Sequence, residues 1–181
     1  EQLNAGKKIL AEGAQGTMLD IDFGSYPYVT SSNTISAGVC TGLGISPKNI
    51  GDVFGIFKAY CTRVGSGPFP TELHDENGKC LQEQGHEFGA TTGRPRRCGW
   101  LDLIILKYAI MINGVTKLIM TKADVLDCFD TIQVANEYRE GDKRYCQLPY
   151  DIECDLNPVY KEFKGWDKKL SGIRLYQQLP S

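Results

Sequence analysis

Trp100-Leu101-Asp102-Leu103-Ile104-Ile105-Leu106-Lys107-Tyr108-Ala109-Ile110-Met111-Ile112 is apolar on nearly every helical face, so neither a solvent-facing helix nor a loop suits it. The pattern predicts a buried helix, ended by Asn113-Gly114 as a left-handed cap. A second apolar run, Lys117-Leu118-Ile119-Met120, follows closely and predicts a strand. Helix, tight turn and strand in this order form one alternating unit. The fold class expected is therefore α/β, with a mostly parallel sheet, covering helices, and ligand-binding residues on loops at strand ends.

The loop that this strand enters reads Thr121-Lys122-Ala123-Asp124. A strand ending in Thr/Asn-Lys-x-Asp can hold a guanine ring. The carboxylate accepts hydrogen bonds from the N1-H and N2 amino groups, donors that adenine does not offer in that arrangement, and the lysine stem can lie along the ring face. A Lys and an Asp two apart in a solvated turn are the plainer alternative.

Elsewhere, Lys8-Ile9-Leu10-Ala11 predicts a buried strand emptying into the loop Glu12-Gly13-Ala14-Gln15-Gly16-Thr17. Val29-Thr30-Ser31-Ser32-Asn33-Thr34 offers hydroxyl and amide groups for a helix cap or an anion. Ser46-Pro47, with Ile50, Val53, Phe54, Phe57 and Tyr60 at helical spacing, predicts a helix over 47–60. Thr62-Arg63-Val64 is expected to be extended and 65–70 a Gly/Pro loop, and 72–89 is expected to be an exposed hairpin or excursion. Gly93-Arg94-Pro95-Arg96-Arg97 concentrates guanidinium groups ahead of the apolar helix, which makes a candidate anion clamp near a helix N-terminus. The segment 130–138 predicts a strand pairing with 145–148 as a hairpin, and the tail from Asp151 has no clear period. With no repeat and no linker, residues 1–181 read as one domain.

Lys plus Arg (20) nearly balance Asp plus Glu (22), so no overall field favours a nucleic acid or an acidic membrane. Seven Cys without a Cys-x-x-Cys pair, and only His74 and His86 beside them, argue against a disulfide framework or a zinc site. A reducing cytoplasmic setting is expected. No stretch approaches the about 20 apolar residues of a membrane span. The start, Glu1-Gln2-Leu3, has neither a signal-peptide pattern nor an initiator Met, as expected of a piece of a longer chain.

Glu12-Gly13-Ala14-Gln15-Gly16-Thr17, Leu19-Asp20-Ile21-Asp22, Tyr26 to Thr34, Lys58-Ala59-Tyr60, Thr62 to Glu72, Thr91-Thr92-Gly93-Arg94-Pro95-Arg96-Arg97 and Thr121 to Asp127 together resemble the adenylosuccinate synthetase family, in family order and spacing over most of the chain. The resemblance implies a P-loop-NTPase-like ligase architecture and a purine-biosynthesis reaction. GTP, with Mg2+, phosphorylates the 6-oxygen of IMP, and L-aspartate displaces the phosphate to give adenylosuccinate and GDP. It further implies that Gln15 holds the developing 6-oxyanion, that Thr30 contacts the IMP 5'-phosphate, and that Val64 meets the ribose through its backbone. Thr91, Thr92, Gly93 and Arg94 would form the aspartate-binding loop, with Arg94 also facing IMP. Arg96, Lys122 and Asp124 would bind GTP.

The family's phosphate loop, whose Asp is general base and Mg2+ ligand, and its Gly-His-Thr segment, whose His is general acid, have no counterpart among these 181 residues. His86 lies in Gln84-Gly85-His86-Glu87-Phe88-Gly89, which matches the later aspartate-side region rather than the acid. The chain is thus expected to be a central and C-proximal part, with no metal ligand of its own and little activity alone. A non-catalytic guanine-nucleotide or IMP binding module, or an inert folded piece, are the alternatives. The resemblance also implies a homodimer.

Overall fold

Asp102 divides the long apolar run near its start. Its carboxylate accepts hydrogen bonds from Ile104 N (3.0 Å) and Ile105 N (3.1 Å), which fixes the helix start at Leu103 and leaves Trp100 to Asp102 extended. The structure is a computed structural model that describes residues 2–89, 93–152 and 155–180. In chain order its elements are α1 (Ala37–Leu43), β1 (Phe54–Lys58), β2 (Cys61–Arg63), α2 (Glu76–Gln84), β3 (Arg97–Gly99), β4 (Leu101–Asp102), α3 (Leu103–Asn113), β5 (Lys117–Thr121), β6 (Thr131–Glu140), β7 (Lys143–Tyr145) and β8 (Asn157–Lys164). A 3₁₀ turn, Ala123–Cys128, follows β5.

The α/β class stands, and α3 closes on Gly114 in the left-handed conformation, as its sequence predicts. β1 pairs in parallel with β5, and β4 with β6. The β2–β3, β6–β7 and β6–β8 pairs are antiparallel, so the described sheets are mixed rather than mostly parallel. α3 is less enclosed than its composition suggests. Ile104 is its only fully buried residue, and Met111 is 68% exposed.

Four other expectations change. The helix over 47–60 is replaced by a short 3₁₀ turn at Pro47–Asn49, capped by Ser46, and then by β1. Gly51 and Gly55 each weaken a helix by roughly 1 kcal/mol, while Val53, Phe54, Ile56 and Phe57 suit a strand, and β5 supplies the hydrogen-bonding edge. Lys8 to Ala11 is irregular and exposed, because a strand exists only by pairing and no described strand lies beside it. The stretch 72–89 holds a helix, α2, whose N-cap Asp75 accepts Asn77 N and Gly78 N at 3.1 Å each. The tail contributes β8, whose alternation is hidden by Pro158, Lys161, Glu162 and Lys164. The 130–138 strand forms as β6, but its hairpin partner is Lys143–Tyr145 rather than 145–148, with Tyr138 opposite Tyr145.

Two cores hold these elements. The larger joins Ala59, Tyr60, Leu81, Cys98, Trp100, Val125, Leu126, Phe129 and Ile132, and Trp100 meets Phe129 edge-on at 5.0 Å. It lies beneath the turn that carries Lys122 and Asp124. The smaller packs Ile104, Ala135, Tyr138 and Leu156 where α3 crosses β6. Among the described residues no helix is long and apolar enough to cross a membrane.

Candidate functional site

Gln15 sits at φ 66°, in the left-handed region that non-glycine residues seldom adopt. Its amide is held at both ends: Nε2 donates to Thr30 Oγ1 (3.0 Å), and Oε1 accepts from Ser32 Oγ (3.2 Å). Two residues expected to face the same ligand are therefore in direct contact. All three side chains are solvent-accessible, so the group is available to a ligand.

The hydroxyl-rich segment is shaped by a residue that sequence reasoning did not single out. Asp20 is fully buried, and its carboxylate accepts Asp22 N, Phe23 N, Thr34 N and Ile35 N at 3.0, 3.0, 2.6 and 3.2 Å. Burial alone would raise its pKa, but these four amides outweigh it and hold the group below the usual carboxylate value. The amides of Thr34 and Ile35 thus serve an internal carboxylate. Ser36, at the start of α1, makes no side-chain cap bond.

Arg63 ties this loop to the sheet, donating to Ser25 Oγ (3.1 Å), Tyr28 O (3.0 Å) and Ser66 O (2.9 Å). Val64 follows it and is 66% exposed. Arg97, opposite Arg63 in the β2–β3 register, is spent on structure. It pairs with Glu72 through Nε (2.8 Å) and Nη2, and donates to Gly65 O and Gly67 O. The part of the anion clamp expected of Arg97 and of the α3 N-terminus is accordingly corrected. Arg97 has a carboxylate of its own, and the N-terminus of α3 is occupied by Asp102.

Thr91 and Thr92 lie outside the described residues. Gly93, at φ 65°, donates to Gly89 O (2.8 Å), and Gly89 N returns a bond to Arg94 O (2.8 Å). Arg94 is exposed on this turn. His86 is exposed too and takes φ 50° just after α2.

The strongest electrostatic feature centres on Glu87, another residue without a role in the sequence reading. Its side chain is fully buried. Oε1 accepts Lys58 Nζ (2.7 Å) and Tyr60 Oη (2.6 Å), Oε2 accepts Arg96 Nη1 (2.8 Å), and Lys122 Nζ stands 3.5 Å from Oε1. Burial would raise this carboxyl, yet the bonds from Lys58, Tyr60 and Arg96 hold it down at about 2. Burial first, then the Glu87 carboxylate, pushes the Tyr60 phenol upward. Three cations around one carboxylate leave a local positive excess, the field an anionic ligand needs. Arg96 Nε is buried without a partner. A lone carboxylate between Gly85 and Gly89, just ahead of an Arg cluster, is the signal that points to such a hub in sequence.

Lys122 reaches the hub by geometry its neighbours impose. The Thr121 hydroxyl bonds Phe57 O (3.0 Å), closing the β1–β5 pair, and Lys122 then turns to φ 57° and donates to Gly85 O. Behind it, buried Val125 and Leu126 root the 3₁₀ turn in the larger core and leave Asp124 exposed in the first turn. The structure thus brings Arg96 and Lys122 onto one carboxylate, with Asp124 two residues away on the same turn.

A sequence model described as adenylosuccinate synthetase matches residues 1–181. An adenylosuccinate synthetase of Parabacteroides distasonis is 62% identical over 178 residues, covering 98% of this chain and 42% of that protein. One from Cytophaga hutchinsonii is 63% identical over 183 residues, covering 99% and 42%. The chain therefore spans 42% of the length of these curated relatives. The solved structure of the fully ligated Plasmodium falciparum adenylosuccinate synthetase superposes with a TM-score of 0.93 at 44% identity, over 99% of this chain and 44% of that one. A cyanophage S-2L succinoaminodeoxyadenylate synthetase, bound to dGMP and to dATP as an energy donor, gives 0.53 at 27% identity over 62% of this chain and 35% of that one.

Proposed function

Because the chain belongs to the adenylosuccinate synthetase family, we propose that it carries recognition groups for the ligation of L-aspartate to IMP at the expense of GTP, giving adenylosuccinate, GDP and phosphate. The observation that carries this reading is the convergence of Arg96 and Lys122 on Glu87 beside the exposed Asp124.

The roles are those that the family resemblance implies. The Gln15 amide spends one N–H on Thr30 and keeps the second for the 6-oxygen of the purine, where negative charge develops. Thr30 orients that amide and presents the same hydroxyl to the IMP phosphate, while Val64 offers backbone groups to the ribose. Thr91, Thr92, Gly93 and Arg94 hold aspartate, the guanidinium taking a carboxylate and also facing IMP. Arg96 addresses GTP phosphates from the cationic side of the hub, Lys122 lays its stem along guanine, and Asp124 accepts the N1-H and N2 donors. These ligands, together with Mg2+, a homodimeric assembly and a cytoplasmic setting, complete the reading. Mg2+ supplies charge neutralisation to the transferring phosphoryl group. Among the described residues no three His, Cys, Asp or Glu side chains gather to hold an ion, so none is assigned to it here.

Titration calorimetry with GDP and ADP tests the assignment. GDP is expected to bind more tightly. Asp124→Asn should weaken GDP by about 10- to 100-fold, as expected for losing hydrogen bonds to a charged acceptor, and leave ADP unchanged. Equal affinity for GDP and ADP would remove Asp124 from this role.

A further inference from the structure

Cys80, on α2, and Cys128, the last residue of the 3₁₀ turn after β5, place their sulfurs 2.9 Å apart although they are 48 positions apart in sequence. A disulfide bond is about 2 Å long, so closing it needs less than about 1 Å of sulfur movement. Cys128 is exposed and Cys80 half-buried, which gives a small thiol or disulfide reagent a way in. Two of the other described thiols, Cys61 and Cys98, are differently placed. Burial pushes Cys61 up to about 12 and Cys98 up to about 11, which keeps both protonated and inert.

We propose that Cys80 and Cys128 form a reversible dithiol–disulfide site that reacts with low-molecular-weight disulfides. Cys128 also donates to Val125 O (3.5 Å). The opening attack comes from whichever of the two thiols has lost its proton. Its thiolate breaks the reagent's S–S bond, forms a mixed disulfide and releases one thiolate. The other cysteine then displaces the second half of the reagent, and the Cys80–Cys128 bond forms. The two protein protons end on the two released thiols, so the pair loses two electrons and the reagent gains them.

The bond would reinforce a junction already present. Lys122, immediately before the turn that ends in Cys128, donates to the carbonyl of Gly85, immediately after the helix that carries Cys80. Asp127 adds a second anchor to the same turn, accepting Trp166 Nε1 (2.6 Å) and Leu170 N (2.9 Å). A cross-link closing this loop restricts the unfolded chain and favours the folded state by about a thousandfold.

The test incubates the protein with oxidised glutathione and follows intact mass, a non-reducing peptide map and thermal unfolding. The expected product has lost two hydrogens, contains one peptide joining Cys80 to Cys128, melts at a higher temperature, and reverts with dithiothreitol. Cys80→Ser and Cys128→Ser should each block the cross-link and the rise in melting temperature. Because both variants keep a small polar side chain at the junction, they should fold without the oxidant. Cys80 and Cys128 remaining free, or stopping as glutathione adducts in the unsubstituted protein, would overturn the proposal.

Discussion

Replacing Glu87 with Gln removes one charge and one acceptor from a buried hub, and the geometry sets the size of the effect. In the native arrangement Oε1 faces two donors, Lys58 Nζ and Tyr60 Oη, while Oε2 faces Arg96 Nη1. A glutamine amide has one acceptor end. Whichever way it turns, an N–H points at another donor. A carboxyl titrating at 4.5 in the unfolded chain and at about 2 in the folded one contributes about 3 kcal/mol. That agrees with the roughly 3–5 kcal/mol lost when one partner of a buried ion pair is removed. Because the folded pKa is the lower one, the contribution is complete above about pH 4.5 and disappears as pH falls through about 2. Urea unfolding of Glu87→Gln and the unsubstituted protein should differ by about 3 kcal/mol at pH 7, and by progressively less from pH 4.5 downward. A difference below about 0.5 kcal/mol at pH 7, or one that does not change with acid, would refute the assignment of Glu87 as an ionised hub.

Asp20→Asn leaves one acceptor where two oxygens each serve two amides, so a loss of about 1–3 kcal/mol is expected at pH 7, with faster hydrogen exchange at Thr34 and Ile35. The folded pKa of Asp20 is lowered, so this loss should fade as pH drops below about 3.8; constant exchange rates would contradict it. Gly99→Ala would set a Cβ 2.1 Å from Thr71 O, a backbone atom that cannot swing away. A loss of about 2–3 kcal/mol, read from the denaturation midpoint, is expected from forcing β3 off that segment.

The sequence made the ligand-facing positions more legible than the framework that holds them. Thr121 to Asp124 could be proposed because guanine needs a carboxylate acceptor after a strand, whereas Gln15 and Thr30 were assigned through the family resemblance. Their mutual hydrogen bond depends on a left-handed Gln15 backbone, which no local pattern announces. Glu87 and Asp20 stayed hidden for a related reason. A buried carboxylate looks like any exposed one until the chain brings Lys58, Tyr60 and Arg96, or four backbone amides, around it. The 47–60 misreading has another origin: only Phe54 and Phe57 of the five apolar residues at helical spacing lie in β1, and pairing with β5 decided in favour of the strand. Asp102, within an otherwise apolar run, was the visible sign that α3 starts late.

The central claim, that the Lys122–Asp124 turn and the Glu87 hub form one guanine-nucleotide site, is tested most directly by titrating isotope-labelled protein with GDP and following backbone amide resonances. The largest shifts are expected at Lys122, Ala123 and Asp124, with Arg96 and Glu87 responding in parallel, and a much smaller response to ADP. Shifts of equal size with ADP, or a response confined to residues away from this turn, would contradict it.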